Sequence, residues 1–280
     1  NMEEDHLDYF EDINHIIKTF SDYGKNIKDN GYLIINADDS NAKKVIKCTR
    51  ANIISFGIDN NADYVAENIS FTAEGYPVFM LNIKGKSIHP IKLGVMGSHN
   101  IYNALASIAT THILGIPIET ILASMEKYKG VHRRLELKGI IDGIRIIDDY
   151  AHHPTEIKAS LNALRNSTQN NIWCIFQPHT YTRTKLLLRE FGEAFSLAYQ
   201  VIVPDIYAAR EKNNGMIHSI NLVETLIKNG VDAKYISSFE HIQSYLLKNA
   251  KKGDIIVTMG AGNVYTIGEG MLENKEKKAI

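Results

Sequence analysis

At 280 residues the chain is long enough for about two domains of ~100 to 200 residues each. Its 31 Lys and Arg balance 32 Asp and Glu to a net charge of −1. This excludes a global basic footprint for nucleic acid or an anionic membrane, so any anion it handles is met by local groups. No apolar stretch approaches the ~18 residues of a membrane span, and no secretory signal opens the chain. Cys48 and Cys174 lie in or beside apolar segments without a partner at metal-ligand spacing, and read as reduced thiols of a cytoplasmic protein. The polar start Asn1-Met-Glu-Glu-Asp-His reads as the interior of a longer protein whose N-terminal portion is missing.

In chain order, a helix is expected from about Ile13 to Tyr23, ended by Gly24, with strands at Tyr32 to Ala37 and Ile53 to Phe56. Tyr64 to Leu93 reads as a β-hairpin or meander around Glu74-Gly75. Two helices follow, Ile101 to Leu114 closed by Gly115 and Ile118 to Tyr128 closed by Gly130. A boundary is placed at Leu135 to Gly139, dividing the chain into 1–136 and 137–280.

The second half is more regular. Short β-rich runs at Ile144 to Ile147, Ile172 to Phe176, Val201 to Val203, Ala233 to Ile236 and Ile255 to Met259 alternate with helical periods. Ile157, Leu161 and Leu164 share one helix face, as do Leu187, Phe191 and Phe195. Pro154 fits a first helical position, while Ser219 and Ser238 fit helix caps. This alternation predicts an α/β fold whose C-terminal domain is a doubly wound, mostly parallel, Rossmann-like sheet.

In such a sheet, ligands bind beyond the carboxyl ends of the strands. The first strand of this domain ends in Asp148-Asp149-Tyr150-Ala-His152-His153, the second in Gln177-Pro-His179-Thr-Tyr-Thr-Arg183 and the last in Gly260-Ala-Gly-Asn263. The acid pair also fits a helix cap, and adjacent histidines also fit a surface pair. His152, His153, His179 and Asp149 are suitable zinc ligand types at no familiar zinc spacing. Gly85-Lys86-Ser87 lacks the first glycine of a P-loop, and Tyr265 stands where a dinucleotide fingerprint has its third glycine. In the first half, Asn100 and Asn103 share a helix face, with Ser98 or Asn100 as a plain N-cap the alternative. Arg133-Arg134 is a solvated pair or a phosphate-reaching one.

Asn1-Met-Glu-Glu-Asp-His-Leu-Asp8, Gly97-Ser-His-Asn-Ile-Tyr-Asn103, Val131-His-Arg-Arg134, Asp148-Asp-Tyr-Ala-His-His-Pro154, Gln177-Pro-His-Thr-Tyr-Thr-Arg-Thr184 and Gly260-Ala-Gly-Asn263 together resemble the Mur ligases, in family order and over essentially the whole chain. The resemblance implies the later part of a central ATPase domain in 1–136 and an amino-acid-binding C-terminal domain in 137–280. The UDP-binding domain, the Gly-Lys-Thr P-loop and an acidic magnesium ligand are missing, so this chain alone is expected to be inactive.

Within the family, the Asp-Asp-Tyr-Ala-His-His-Pro and Pro-His-Thr-Tyr-Thr-Arg-Thr pair points to the branch that joins L-alanine to UDP-N-acetylmuramate at the cost of ATP. The implied chemistry is an acyl phosphate attacked by the amine, with magnesium and fixed cations stabilising charge. By motif position, His6 would bind magnesium and Asn103 the adenine, with His99 and Asn100 in support. Arg134 would reach phosphates and Asp149 the ribose. Tyr150, His152, His179 and Arg183 would surround L-alanine, with Arg134, His152 and His179 carrying the catalytic roles. The alternatives are a ligase that recycles a murein tripeptide and a non-catalytic nucleotide- or amino-acid-binding remnant.

Overall fold

The computed structural model describes residues 1–7, 9–213 and 215–279, with only the backbone of 276–279. The chain forms two compact units, Asn1–Lys129 and Gly130–Ile280. The division falls earlier than the expected 136/137 because the intervening segment is fastened to the second unit: the Tyr150 N–H donates to Arg133 O at 2.6 Å, and Leu135 packs on that unit's core.

The first unit is built on a sheet of order β1-β2-β3-β4-β5: Tyr32–Asn36, Asn52–Gly57, Tyr64–Phe71, Pro77–Ile83 and Ser87–Lys92. The first three strands run parallel and the last three form the expected meander, turning at Gly75 and Gly85. Gly85-Lys86-Ser87 is therefore a hairpin corner. Alternate residues of β4, among them Phe79 and Leu81, are buried against Ile101, Leu105 and Ile108 of α3 (His99–Ile113). Each such side chain contributes ~1.5 to 3 kcal/mol on burial. The unit also holds α1 (Ile13–Lys25), capped by the Asp12 carboxylate accepting from the His15 N–H, as well as α2 (Ala42–Val45) and α4 (Ile118–Lys127).

In the second unit the strands are β6 at Glu136–Ile141, β7 at Ile144–Asp149, β8 at Ile172–Phe176, β9 at Gln200–Val203, β10 at Ala233–Tyr235 and β11 at Ile255–Met259, in the sheet order β10-β9-β8-β11-β7-β6, with β7 to β11 all parallel. One face is covered by Ile157, Leu161 and Leu164 of α5 (Pro154–Arg165) and by Leu222 and Leu226 of α8 (Ser219–Lys228). The other is covered by Ile242 and Leu246 of α9 (Phe239–Asn249) and by Ile267 and Met271 of α10 (Tyr265–Ala279). Burial on both faces accounts for the wholly buried strands β8 and β11, apolar throughout but for Thr258.

Three expectations are corrected. The linker region is strand β6 (Glu136–Ile141), antiparallel to β7 through Asp142-Gly143, whose positive φ values of 50° and 82° make the Asp-Gly hairpin turn. Leu187, Phe191 and Phe195 do not lie on one helix. The chain forms α6 (Tyr181–Leu186) and α7 (Leu188–Gly192), broken at Leu187, and all three side chains are still buried in one core. Ser219 is the first helical residue rather than the cap: its hydroxyl donates to Pro204 O at 2.6 Å, and His218 caps the helix. Ser238 does cap α9, accepting from the His241 N–H.

Candidate functional site

At the carboxyl edge of β7 the two acids are buried and internally engaged. Asp148 accepts from Thr258 Oγ1 at 2.7 Å and from Arg133 Nε at 2.8 Å. Asp149 is 2% exposed and accepts from Ser160 Oγ at 2.7 Å and from the Ala151 N–H at 2.9 Å. Burial pushes its carboxyl up to about 6 against those hydrogen bonds. Asp149, expected to meet a ribose, turns its oxygens to a serine hydroxyl and a backbone amide within the unit.

The histidine pair divides. His153 is the N-cap of α5, its Nδ1 accepting from the Thr155 N–H, and Glu156 completes a capping box by accepting from the His153 N–H. His152 faces the site. It donates from Nδ1 to Tyr150 O at 2.9 Å and stands edge-on to the Tyr150 ring, while its own ring centre lies 5.9 Å from that of His179.

His179 follows β8 and is held by an extension of the sheet: His179 and Tyr207 form a parallel bridge, and their rings stack at 5.6 Å. Its Nδ1 accepts from Arg183 Nη1 at 3.2 Å. Burial, the Arg183 guanidinium and His152 hold the His179 imidazole below its ordinary value, so the ring is neutral near pH 7. Tyr150, His152, His179 and Arg183, four residues from two strand ends, are thus brought into one polar surface. Such a surface offers a cation for a carboxylate and a neutral imidazole for an amine proton.

Arg134 is the more exposed of the arginine pair, donating weakly to Glu156 Oε1 at 3.4 Å with its guanidinium over the Tyr150 ring. Arg133 is the anchored one. Besides Asp148 it donates from Nη2 to Gly260 O at 2.7 Å, and its guanidinium lies 4.9 Å from the Tyr150 ring centre and 4.7 Å from that of Tyr265. The glycine loop explains itself by contact: Gly260 has φ +146°, and a Cβ on Gly262 would stand 2.4 Å from Gln177 Oε1. Sequence reasoning did not separate Arg133 from Arg134 and gave Tyr207 and Tyr265 no part in the site. Their signal was position, since each flanks a strand end or the glycine loop.

In the first unit, Asn100 donates to Met96 O at 2.7 Å and to His99 Nε2 at 3.2 Å, and the exposed Asn103 donates to Asn100 Oδ1 at 3.0 Å. Ser98 is the N-cap of α3 by position, without a side-chain cap hydrogen bond, and Asn100 lies inside the helix. His6 is exposed, with the Asp5 carboxylate 3.7 Å from Nε2; Asp8 lies outside the described residues. Among the described residues no group of three or more His, Cys, Asp or Glu is placed to hold a metal. Magnesium takes several oxygen ligands, so His6 and Asp5 do not by themselves fit that ion, and the zinc alternative finds no cluster either. No helix among the described residues is long and apolar enough to cross a membrane.

Comparison with known proteins agrees with this architecture. The model of the Mur ligase middle domain matches residues 1–111, and that of the Mur ligase glutamate ligase domain matches residues 133–262. The UDP-N-acetylmuramate–L-alanine ligase of Acetivibrio thermocellus is 50% identical over 281 aligned residues, covering 100% of this chain and 60% of the relative. The enzyme of the same name from Caldanaerobacter subterraneus subsp. tengcongensis is 44% identical, over 99% of this chain and 60% of its own length. The chain thus spans about three fifths of the curated relatives it matches. Among solved structures, a UDP-N-acetylmuramate–alanine ligase of Thermotoga maritima superposes with TM-score 0.78 at 24% identity, covering 99% of this chain and 58% of that one. A MurF ligase of Thermotoga maritima in complex with ADP gives 0.77 at 21%, covering 100% and 62%. At such identities the structural likeness speaks for the fold.

Fold and site define an α/β protein of two units, the second doubly wound with a polar carboxyl edge. The chain belongs to the Mur ligase family and carries its middle and C-terminal domains.

Proposed function

We propose that this chain is the later part of a cytoplasmic, ATP-dependent ligase that joins L-alanine to UDP-N-acetylmuramate in peptidoglycan synthesis. In this reading the Asn1–Lys129 unit serves the nucleotide and the Gly130–Ile280 unit the amino acid. The sugar carboxylate takes the γ-phosphoryl of ATP, releasing ADP and forming an acyl phosphate. The amine of L-alanine attacks the acyl carbon, and the tetrahedral intermediate expels phosphate as the amide forms. Arg183 pairs with the alanine carboxylate, and the His152–His179 pair lies at the amine end, where an imidazole takes up the amine proton. Arg134 sits exposed beside Tyr150, where a cation meets phosphoryl oxygens. Asn103, supported by Asn100 and His99, offers a carboxamide edge of the kind that pairs with adenine. No step is assigned to magnesium through His6, because the donors described around it are too few.

The observation that carries the reading is the pairing of Arg183 with a depressed His179 beside His152 and Tyr150. The names of the relatives at 44% to 50% identity support L-alanine over a tripeptide as the acceptor. In the complete gene product, Arg183→Ala is expected to raise KM for L-alanine by on the order of ten-fold or more while leaving KM for ATP nearly unchanged. Equal effects on both substrates would remove Arg183 from the alanine site. Turnover with a tripeptide in preference to L-alanine would favour the recycling ligase.

A further inference from the structure

Thr180 stands between two residues of the alanine site, and its backbone is unusual. With φ +66° and ψ +146° it lies outside even the left-handed helical region, in territory that glycine occupies freely. Of the non-glycine residues with positive φ among those described, it is the one with a β-branched side chain. Such a conformation persists only where the surroundings over-determine it.

Here they do. The Thr180 N–H donates to Tyr207 O at 2.9 Å, which continues the sheet one residue past His179. Its carbonyl accepts from Thr184 Oγ1 at 2.6 Å and from the Thr184 N–H at 3.2 Å, and its hydroxyl caps α6 by accepting from the Arg183 N–H at 3.4 Å. Backbone amide, carbonyl and side chain are each fastened, two of them to the turn that carries Arg183. The sharp reversal at this one residue takes the chain from a strand-like bridge at His179 into a helix by Tyr181.

We infer that Thr180 is a positioning residue. Its enforced conformation turns the chain so that the His179 ring and the Arg183 guanidinium, three residues further on, converge on the same ligand. Glycine would adopt this backbone with less strain, but it lacks the hydroxyl that fixes the first turn of α6. The threonine therefore exchanges local stability for a defined geometry at the amino-acid end of the site. The assignment of that ligand as L-alanine rests on the function proposed above; the convergence of the two side chains does not.

The test uses Thr180→Gly and Thr180→Ser in the complete gene product, together with histidine ring NMR on the present chain. For Thr180→Gly the expected results are an unfolding midpoint no lower than that of the parent, a KM for L-alanine raised on the order of ten-fold, and a KM for ATP within about two-fold. Thr180→Ser, which retains the hydroxyl, should restore KM for L-alanine to near the parent value. In the NMR titration the His179 midpoint should rise towards that of an ordinary histidine in Thr180→Gly, because Arg183 is no longer held against the ring. A KM for L-alanine within about two-fold of the parent in Thr180→Gly, or a parallel rise for both substrates, would overturn the inference. A parent protein without L-alanine-dependent phosphate release would instead overturn the proposed function. The NMR readout would then decide on Thr180 by itself: an unmoved His179 midpoint rejects the positioning role, and a raised one retains it.

Discussion

Arg133 donates through Nε to the carboxylate of Asp148 at 2.8 Å, and Asp148 is 1% exposed. The pair ties the segment entering the second unit to the end of β7. Losing one partner of a buried pair leaves a desolvated charge, at a cost of ~3 to 5 kcal/mol. Arg133 is itself partly solvated, so the lower end applies. Arg133→Met is expected to lower unfolding stability by about 3 kcal/mol, and adding Asp148→Asn to recover part of that loss. A denaturant-unfolding double-mutant cycle checks this; strict additivity of the two losses would refute the coupling.

Asp149 titrates in the opposite sense from a salt-bridged acid. Its folded value is raised from 3.8 to about 6, so between those values the native state binds the proton more readily than the unfolded one. Stability from this group therefore falls as pH rises through the window, and the full cost is present above about pH 6. A shift of this size corresponds to on the order of 3 kcal/mol. Asp149→Asn can still accept from Ala151 and can donate to Ser160. It should gain stability relative to the parent at pH 8 and lose that gain as pH is lowered towards 4, as read from thermal unfolding across pH.

His179 behaves differently again. Its folded value lies below 6.5, so the unfolded chain takes up the proton first as pH falls. The contribution of the neutral ring is fully present above pH 6.5 and is lost as pH falls towards the depressed value. Arg183→Gln removes the adjacent cation and should raise the His179 midpoint in an NMR titration. A midpoint that stays put would show that burial and His152 set it without Arg183.

Asn100 and Asn103 are neighbours with separable duties. Asn100 braces the turn before α3 through Met96 O, whereas Asn103 is exposed and donates its amide to Asn100 Oδ1. Asn103→Ala should weaken ATP binding with an unfolding change within about 0.5 kcal/mol. Asn100→Ala should weaken binding and also cost about 1 kcal/mol. Nucleotide titration and thermal unfolding of both variants in the complete gene product distinguish the two roles.

Much of the second unit was legible because strands buried on both faces read as nearly continuous apolar runs. Ile172 to Phe176 and Ile255 to Met259 match β8 and β11 to the residue. Strand β6 was missed because its exposed Leu137 and Ile140 blur the alternation of an edge strand. The Asp142-Gly143 turn was the signal that could have found it. Leu187, Phe191 and Phe195 kept their burial but not their helix, since a core rewards apolar side chains whichever backbone delivers them.

The sequence by itself determined the fold class and the strand ends that bear chemistry, because these follow from periodicity and chain order, while the grouping of Tyr150, His152, His179 and Arg183 was what the resemblance to the Mur ligases implied. Tertiary structure alone decided which polar residue of each pair faces outward. His153 caps a helix while His152 joins the site, and Asp149 is enclosed by Ser160. Likewise Arg133 is locked between Asp148, Gly260 and two tyrosine rings while Arg134 is left exposed. Adjacent residues of like chemistry differ only in direction, and direction is set by the backbone turn and by the partners that burial obliges each group to find.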